Sequence, residues 1–106
     1  MIVRLVKMTF RPDSTARFHE LFEGWRHRII AMPGCHRLEL LQGTDDPTVF
    51  FTYSEWASVE HLDRYRNSDV FASVWPVVKG LFAAKAEAWT VDRKHHMSGP
   101  PTSIPA

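Results

Sequence analysis

The chain opens on a run, residues 2–10 (IVRLVKMTF), in which β-branched and apolar side chains dominate, and this predicts a strand. Its two alternating faces differ little. One carries Ile2, Arg4, Val6, Met8 and Phe10, the other Val3, Leu5, Lys7 and Thr9. A strand apolar on both faces calls for cover on both sides, by helices on one and a second protein layer on the other. The turn residues RPDS follow at 11–14, with Asp13 or Ser14 placed to cap a helix. Phe18, Leu21, Phe22, Trp25 and Ile29 then recur at helical spacing, while Arg17, Glu20, Glu23, Arg26 and His27 fall largely off that stripe. The pattern predicts an amphipathic helix of about 17 residues, ended by the MPG at 32–34.

Two more strands are predicted at 35–42 and 48–56, joined through GTDDP as a hairpin loop. On the first, strict alternation puts His36, Leu38 and Leu40 on one face. On the second, Phe50, Thr52, Ser54 and Trp56 share a face opposite Val49, Phe51 and Tyr53. Ser58 and Ser68 are placed to cap two short helical pieces. Val59, Leu62 and Tyr65 form the inner stripe of the first, and Phe71, Val74 and Trp75 belong to the second. Pro76 is expected to kink or restart that second piece. Residues 84–92 predict the last strand.

The order β-α-β-β-α-β predicts an α+β fold of the ferredoxin-like (split βαβ) kind, an antiparallel sheet with helices on one face. Such a sheet leaves its other face bare. A second copy meeting it sheet to sheet would cover the apolar side chains there, so a homodimer through the sheet faces is expected. The folded domain is expected over residues 1–93. Residues 94–106 hold three of the seven prolines and are expected to form a flexible tail.

Length and charge narrow the function classes. At 106 residues the chain makes one domain, too short for a two-domain enzyme or a barrel of eight βα units. Thirteen Lys and Arg against twelve Asp and Glu leave a net charge of +1 and no broad basic footprint, which argues against nucleic acid as a partner. No apolar run reaches membrane-spanning length, and the opening residues alternate charged and apolar too early for a signal peptide, so no membrane partner and a cytoplasmic location are expected. The single Cys35 excludes an intrachain disulfide and offers no CxxC knuckle. His19 and His27 stand eight apart, and His95 and His96 adjoin on the tail, so no metal site is predicted. Four Trp, seven Phe and two Tyr are the unusual feature, as core fillers first and otherwise as the lining of a pocket or an interface.

Four segments occur in a distinctive order: MIVRLVKMTFRPDS before a Phe-rich helix, PGC at 33–35, YSEWASVEHLDRY, and NSDVF. In that order the chain resembles the antibiotic biosynthesis monooxygenase domain family, from residue 1 to about residue 92. The resemblance implies a dimeric α+β barrel, a homodimer with a pocket in each protomer. It also implies an activity drawn from cofactor-free oxygenases of phenols or quinols, haem-degrading enzymes, or proteins without a known reaction. The sequence departs from the family pattern at telling places. The histidine many members carry nine residues past the strand-ending tryptophan is Tyr65 here, and Val6 stands where an asparagine is found. Trp75 stands where the haem-degrading branch has its ligand histidine, and an indole has no lone pair for iron, which argues against that route.

A cofactor-free oxygenase ionises a phenol that then passes an electron to oxygen, so it needs a cation or donor for the anion and a dry aromatic pocket. The candidate catalytic residues are Arg4 as cation, His36 as base and Tyr65 in the place of the family histidine. Each has a plainer alternative: a salt bridge, an interface histidine and core packing. Val6, Met8, Tyr53, His61 and Trp75 are the candidate pocket residues, with sheet packing open for Tyr53 and a solvated helix face for His61. No cofactor and no metal are expected, and the partner is a small hydrophobic or aromatic ligand. Two other functions stay open: a non-catalytic dimeric module binding such a ligand, and an isomerase or lyase on the same scaffold.

Overall fold

A computed structural model describes residues 1–101, so the last part of the expected tail, 102–106, lies outside the described residues. The alternating runs form four strands, β1 (Ile2–Thr9), β2 (Cys35–Gln42), β3 (Val49–Trp56) and β4 (Glu87–Asp92). Between them lie the helices α1 (Thr15–Ile30), α2 (Val59–Arg66) and α3 (Asp69–Lys79). The strands pair antiparallel in the order β2-β3-β1-β4, the split βαβ arrangement the chain order predicts. Residues 93–101 belong to no helix or strand.

One expectation is corrected. The sheet is not a dimeric α+β barrel: it is open, with β2 and β4 as its two edges and no ladder between them. Four strands cannot curl far enough to close, since small closed barrels take about eight.

Register sets which side chains face the helices. Arg4, Val6 and Met8 of β1 stand opposite Ser54, Thr52 and Phe50 of β3, while Arg4 and Val6 stand opposite Thr90 and Ala88 of β4. On β2 the pairing slips: Cys35 faces Trp56 but Arg37 faces Glu55, so His36 is the extra residue of a β-bulge. The bulge breaks the alternation that grouped His36 with Leu38 and Leu40, and His36 is exposed.

Local chemistry explains the element ends. Ser58 Oγ accepts the His61 N–H and Ser68 Oγ accepts the Phe71 N–H, both at 3.2 Å, capping α2 and α3 as the sequence suggests. Ser14 does not cap α1 through its side chain; a 3₁₀ turn over Pro12–Ser14 feeds the helix instead. Pro76 lies inside α3, which runs unbroken to Lys79 because Val74 and Val78 on either side of it are buried in the core. Gly34 has φ of 84°, and a Cβ there would lie 2.4 Å from His61 Cγ, so only glycine lets α2 pack this close to the start of β2.

The helices bury one face of the sheet. Phe18, Phe22 and Ile29 of α1 and Val74 and Val78 of α3 join Met8, Phe10 and Phe50 in the main core. Leu62 of α2 completes a smaller cluster with Ile2 and Trp56. No helix among the described residues covers the opposite face. There Leu41, Trp89 and Val91 are 40–47% exposed beside Leu5, Phe51 and Tyr53. A polar knot interrupts this apolar face. Glu55 is only 7% exposed and accepts from Arg93 Nη2 and from the Tyr53 hydroxyl, each at 2.9 Å. These donors hold the Glu55 carboxyl below the usual carboxylate range, with Arg93 as the largest cause.

Candidate functional site

Where β1 and β3 carry short or polar side chains, the layer between sheet and helices is not filled. A cavity of about 300 Å³ opens there, at the low end of the range for small-molecule sites. Its floor is Arg4, Val6 and Met8 of β1, Thr52, Ser54 and Trp56 of β3, and Ala88 of β4. Phe18, Phe22, Trp25 and Ile29 of α1 form one wall. Leu62, Tyr65 and Arg66 of α2, with Phe71, Val74, Trp75 and Val78 of α3, form the other.

The polar groups are few. Arg4 is half-buried and donates from Nη1 to Thr90 Oγ1 at 2.8 Å. Burial, then the neighbouring Arg66 guanidinium, lower its pKa, and Asp63 partly offsets them. Arg66 lines the same cavity from the last turn of α2 and is exposed. Tyr65 stacks on Trp56, ring centroids 5.1 Å apart, and meets Phe71 edge-on at 5.4 Å. Burial pushes its pKa up to about 12, so the hydroxyl keeps its proton well above neutral pH. Ser54 Oγ is already engaged, accepting the Trp56 indole N–H at 2.9 Å. No carboxylate and no imidazole belongs to the lining.

Of the residues singled out in the sequence, Arg4, Tyr65, Val6, Met8 and Trp75 come together around this space. His36, Tyr53 and His61 do not line it. His36 sits in the exposed bulge of β2. Tyr53 faces the outer side of the sheet, bound to Glu55 and Arg93. His61 lies over Gly34, with Nδ1 2.7 Å from Ser58 Oγ, and serves the start of α2. Sequence reasoning missed Arg66, Thr52 and Ser54 as lining residues. Arg66 had a signal, because Leu62, Tyr65 and Arg66 stand at i, i+3 and i+4 and so share one helix face. Among the described residues, no three His, Cys, Asp or Glu side chains converge, and no helix is long and apolar enough to cross a membrane.

The family model for antibiotic biosynthesis monooxygenase matches residues 1–74. The chain belongs to that family. Solved structures share its fold. A conserved protein from Methanosarcina mazei Go1 has a TM-score of 0.83 at 21% identity, covering 89% of this chain and 94% of that one. A Mycobacterium tuberculosis protein has a TM-score of 0.82 at 18% identity, covering 92% and 98%. A structure described as an antibiotic biosynthesis monooxygenase scores 0.82 at 17% identity, covering 88% and 98%. At these identities the likeness shows the fold alone. No curated protein matches the sequence. Arg4, Thr52, Ser54, Tyr65 and Arg66 of the cavity lie within the segment matched to the antibiotic biosynthesis monooxygenase family, while Trp75, Val78 and Ala88 lie beyond it.

Proposed function

We propose that this member of the antibiotic biosynthesis monooxygenase family is a cofactor-independent monooxygenase that oxidises a small aromatic phenol or quinol with molecular oxygen. The observation that carries this reading is the cavity, an aromatic chamber lined by the half-buried Arg4 guanidinium and by Tyr65. A phenol bound with its oxygen toward Arg4 is favoured as the phenolate, because the cation stabilises the charge that forms. The phenolate gives one electron to O₂, the radical pair combines at a ring carbon, and loss of water leaves a quinone. One oxygen atom enters the ring. The other leaves as water with the phenolic proton and the ring hydrogen, so no external reductant is consumed. With no carboxylate or imidazole in the lining, solvent takes the phenolic proton on ionisation and returns one as water leaves.

That missing base also supports a second reading, a module that binds an aromatic ligand without turning it over. Oxygen uptake separates the two. With a panel of reduced naphthoquinols and anthrones, uptake should match product one to one and fall sharply in Arg4→Ala and Tyr65→Phe. Micromolar binding with no uptake across the panel would establish the binding module and end the oxygenase reading. The exposed apolar side chains at both edges of the outer face, Leu41 on β2 and Trp89 and Val91 on β4, with Phe51 and Leu5 on the strands between, support a second copy of the chain there, since such patches mark interaction surfaces. Sedimentation should give twice the chain's mass at micromolar concentration; a monomer there contradicts the dimer.

A further inference from the structure

The cavity carries two cations and no anion among its lining residues. Neither Arg4 nor Arg66 forms an ion pair with a carboxylate of the described residues, whereas Arg17, Arg26, Arg37 and Arg93 all do. The two guanidinium groups sit at different depths. Arg4 is half-buried, tied to Thr90 through one nitrogen with its other donors left over. Arg66 is exposed, at the solvent side of the same space. They are close enough to repel, and the one acid that acts on Arg4, Asp63, is not a lining residue. A phenolate answers one of these charges and leaves the other free to bind a second anionic group. A planar guanidinium at a partly solvated mouth suits a carboxylate, which it binds through paired N–H donors without full desolvation of the acid.

We propose that the ligand of this cavity is an aromatic hydroxy acid of one or two rings, its hydroxyl directed to Arg4 and Tyr65 and its carboxylate held by Arg66 at the mouth. The volume supports the size, because about 300 Å³, at the low end for small-molecule sites, accommodates a one- or two-ring aromatic. Arg66 is then a specificity-determining residue, selecting the acid and taking no part in the oxidation. The inference rests on the cavity being the ligand site, as the oxygenase reading does, but it concerns binding and not turnover.

The test is calorimetric titration with 6-hydroxy-2-naphthoate and, as its neutral counterpart, 6-hydroxy-2-naphthamide. The acid should bind about tenfold more tightly or better, the scale of a charge-assisted contact. Arg66→Gln should erase that preference, and Arg66→Lys should keep part of it. Arg66 is exposed and unpaired, so both variants should give the circular dichroism of the parent chain. Equal binding of acid and amide, a preference that survives Arg66→Gln, or no binding of either compound would overturn the proposal. Oxygen uptake is read separately. Uptake with a neutral quinol but no acid preference sinks this inference and leaves the oxygenase reading, whereas the acid preference without uptake from any compound does the reverse.

Discussion

Around Phe10 the layer between sheet and helices is solid. Its ring stacks on Phe18 at 4.3 Å and meets Phe50 and Phe82 at 5.5 and 5.4 Å. A short way along the same strands, around Arg4 and Val6, the layer is hollow. The difference lies in what stands across the ladder. Met8 is paired with Phe50, but Val6 is paired with Thr52 and Ala88, and Arg4 with Ser54 and Thr90. Short side chains on both neighbouring strands leave room that α2 and α3 roof over with Tyr65, Phe71 and Trp75. Aromatic residues therefore do two jobs in one layer, filling the first end and lining the second.

The two ends should respond to mutation in opposite ways. Phe10→Ala removes a ring that is 1% exposed, lies outside the cavity lining and packs against three others. It should cost about 3–5 kcal/mol in urea unfolding, a large part of a domain's usual stability. A cost below about 1 kcal/mol would mean that the solid end is not solid. At the hollow end the sign changes. Ala88→Leu should leave stability within about 0.5 kcal/mol while weakening ligand binding by more than about tenfold, because the added side chain occupies the space itself.

Two further substitutions should have smaller effects. Glu55 lies on the outer face and so serves as a control unconnected to the cavity. Its folded pKa is depressed, so its stabilisation is present above the unfolded carboxylate value near 4.3 and is lost as pH falls through the lower folded value. Glu55→Gln should therefore cost about 1 kcal/mol at pH 7, with the difference shrinking in acid below about pH 4, measured by thermal unfolding across pH. Ligand affinity at pH 7 should not change. Tyr65→Phe should do the least to stability, within about 0.5 kcal/mol, since the ring contacts remain and the hydroxyl has no protein partner among the described residues. A loss above about 1 kcal/mol would show that the hydroxyl holds the fold and not the ligand.

Much of the scaffold was legible because it depends on period and punctuation. The Phe18, Phe22, Ile29 stripe, the caps at Ser58 and Ser68, and the alternation of β1 and β3 each express a local rule, and each appears in the structure. The open edge of the sheet was not legible from order alone, since β-α-β-β-α-β does not say whether the ends of a sheet meet. His36 was misplaced for a similar reason. One extra residue in β2 undoes alternation, and nothing in CHRLELLQ marks the bulge. The site was half legible. Arg4, Val6, Met8, Tyr65 and Trp75 follow from which face of each element looks inward, whereas Thr52 and Ser54 matter for what they are too small to fill. Periodicity marks large side chains and is silent about the space beside small ones.

The most direct test is where an aromatic hydroxy acid binds, read by amide and indole ¹H–¹⁵N chemical shifts as 6-hydroxy-2-naphthoate is added. The indole signals of Trp25 and Trp75 and the amides around Arg4, Tyr65 and Arg66 should move together, while those of Phe10 and of Trp89 on the outer face stay still. Shifts confined to the outer face, or none at all, would contradict the assignment of the hollow end as the ligand site.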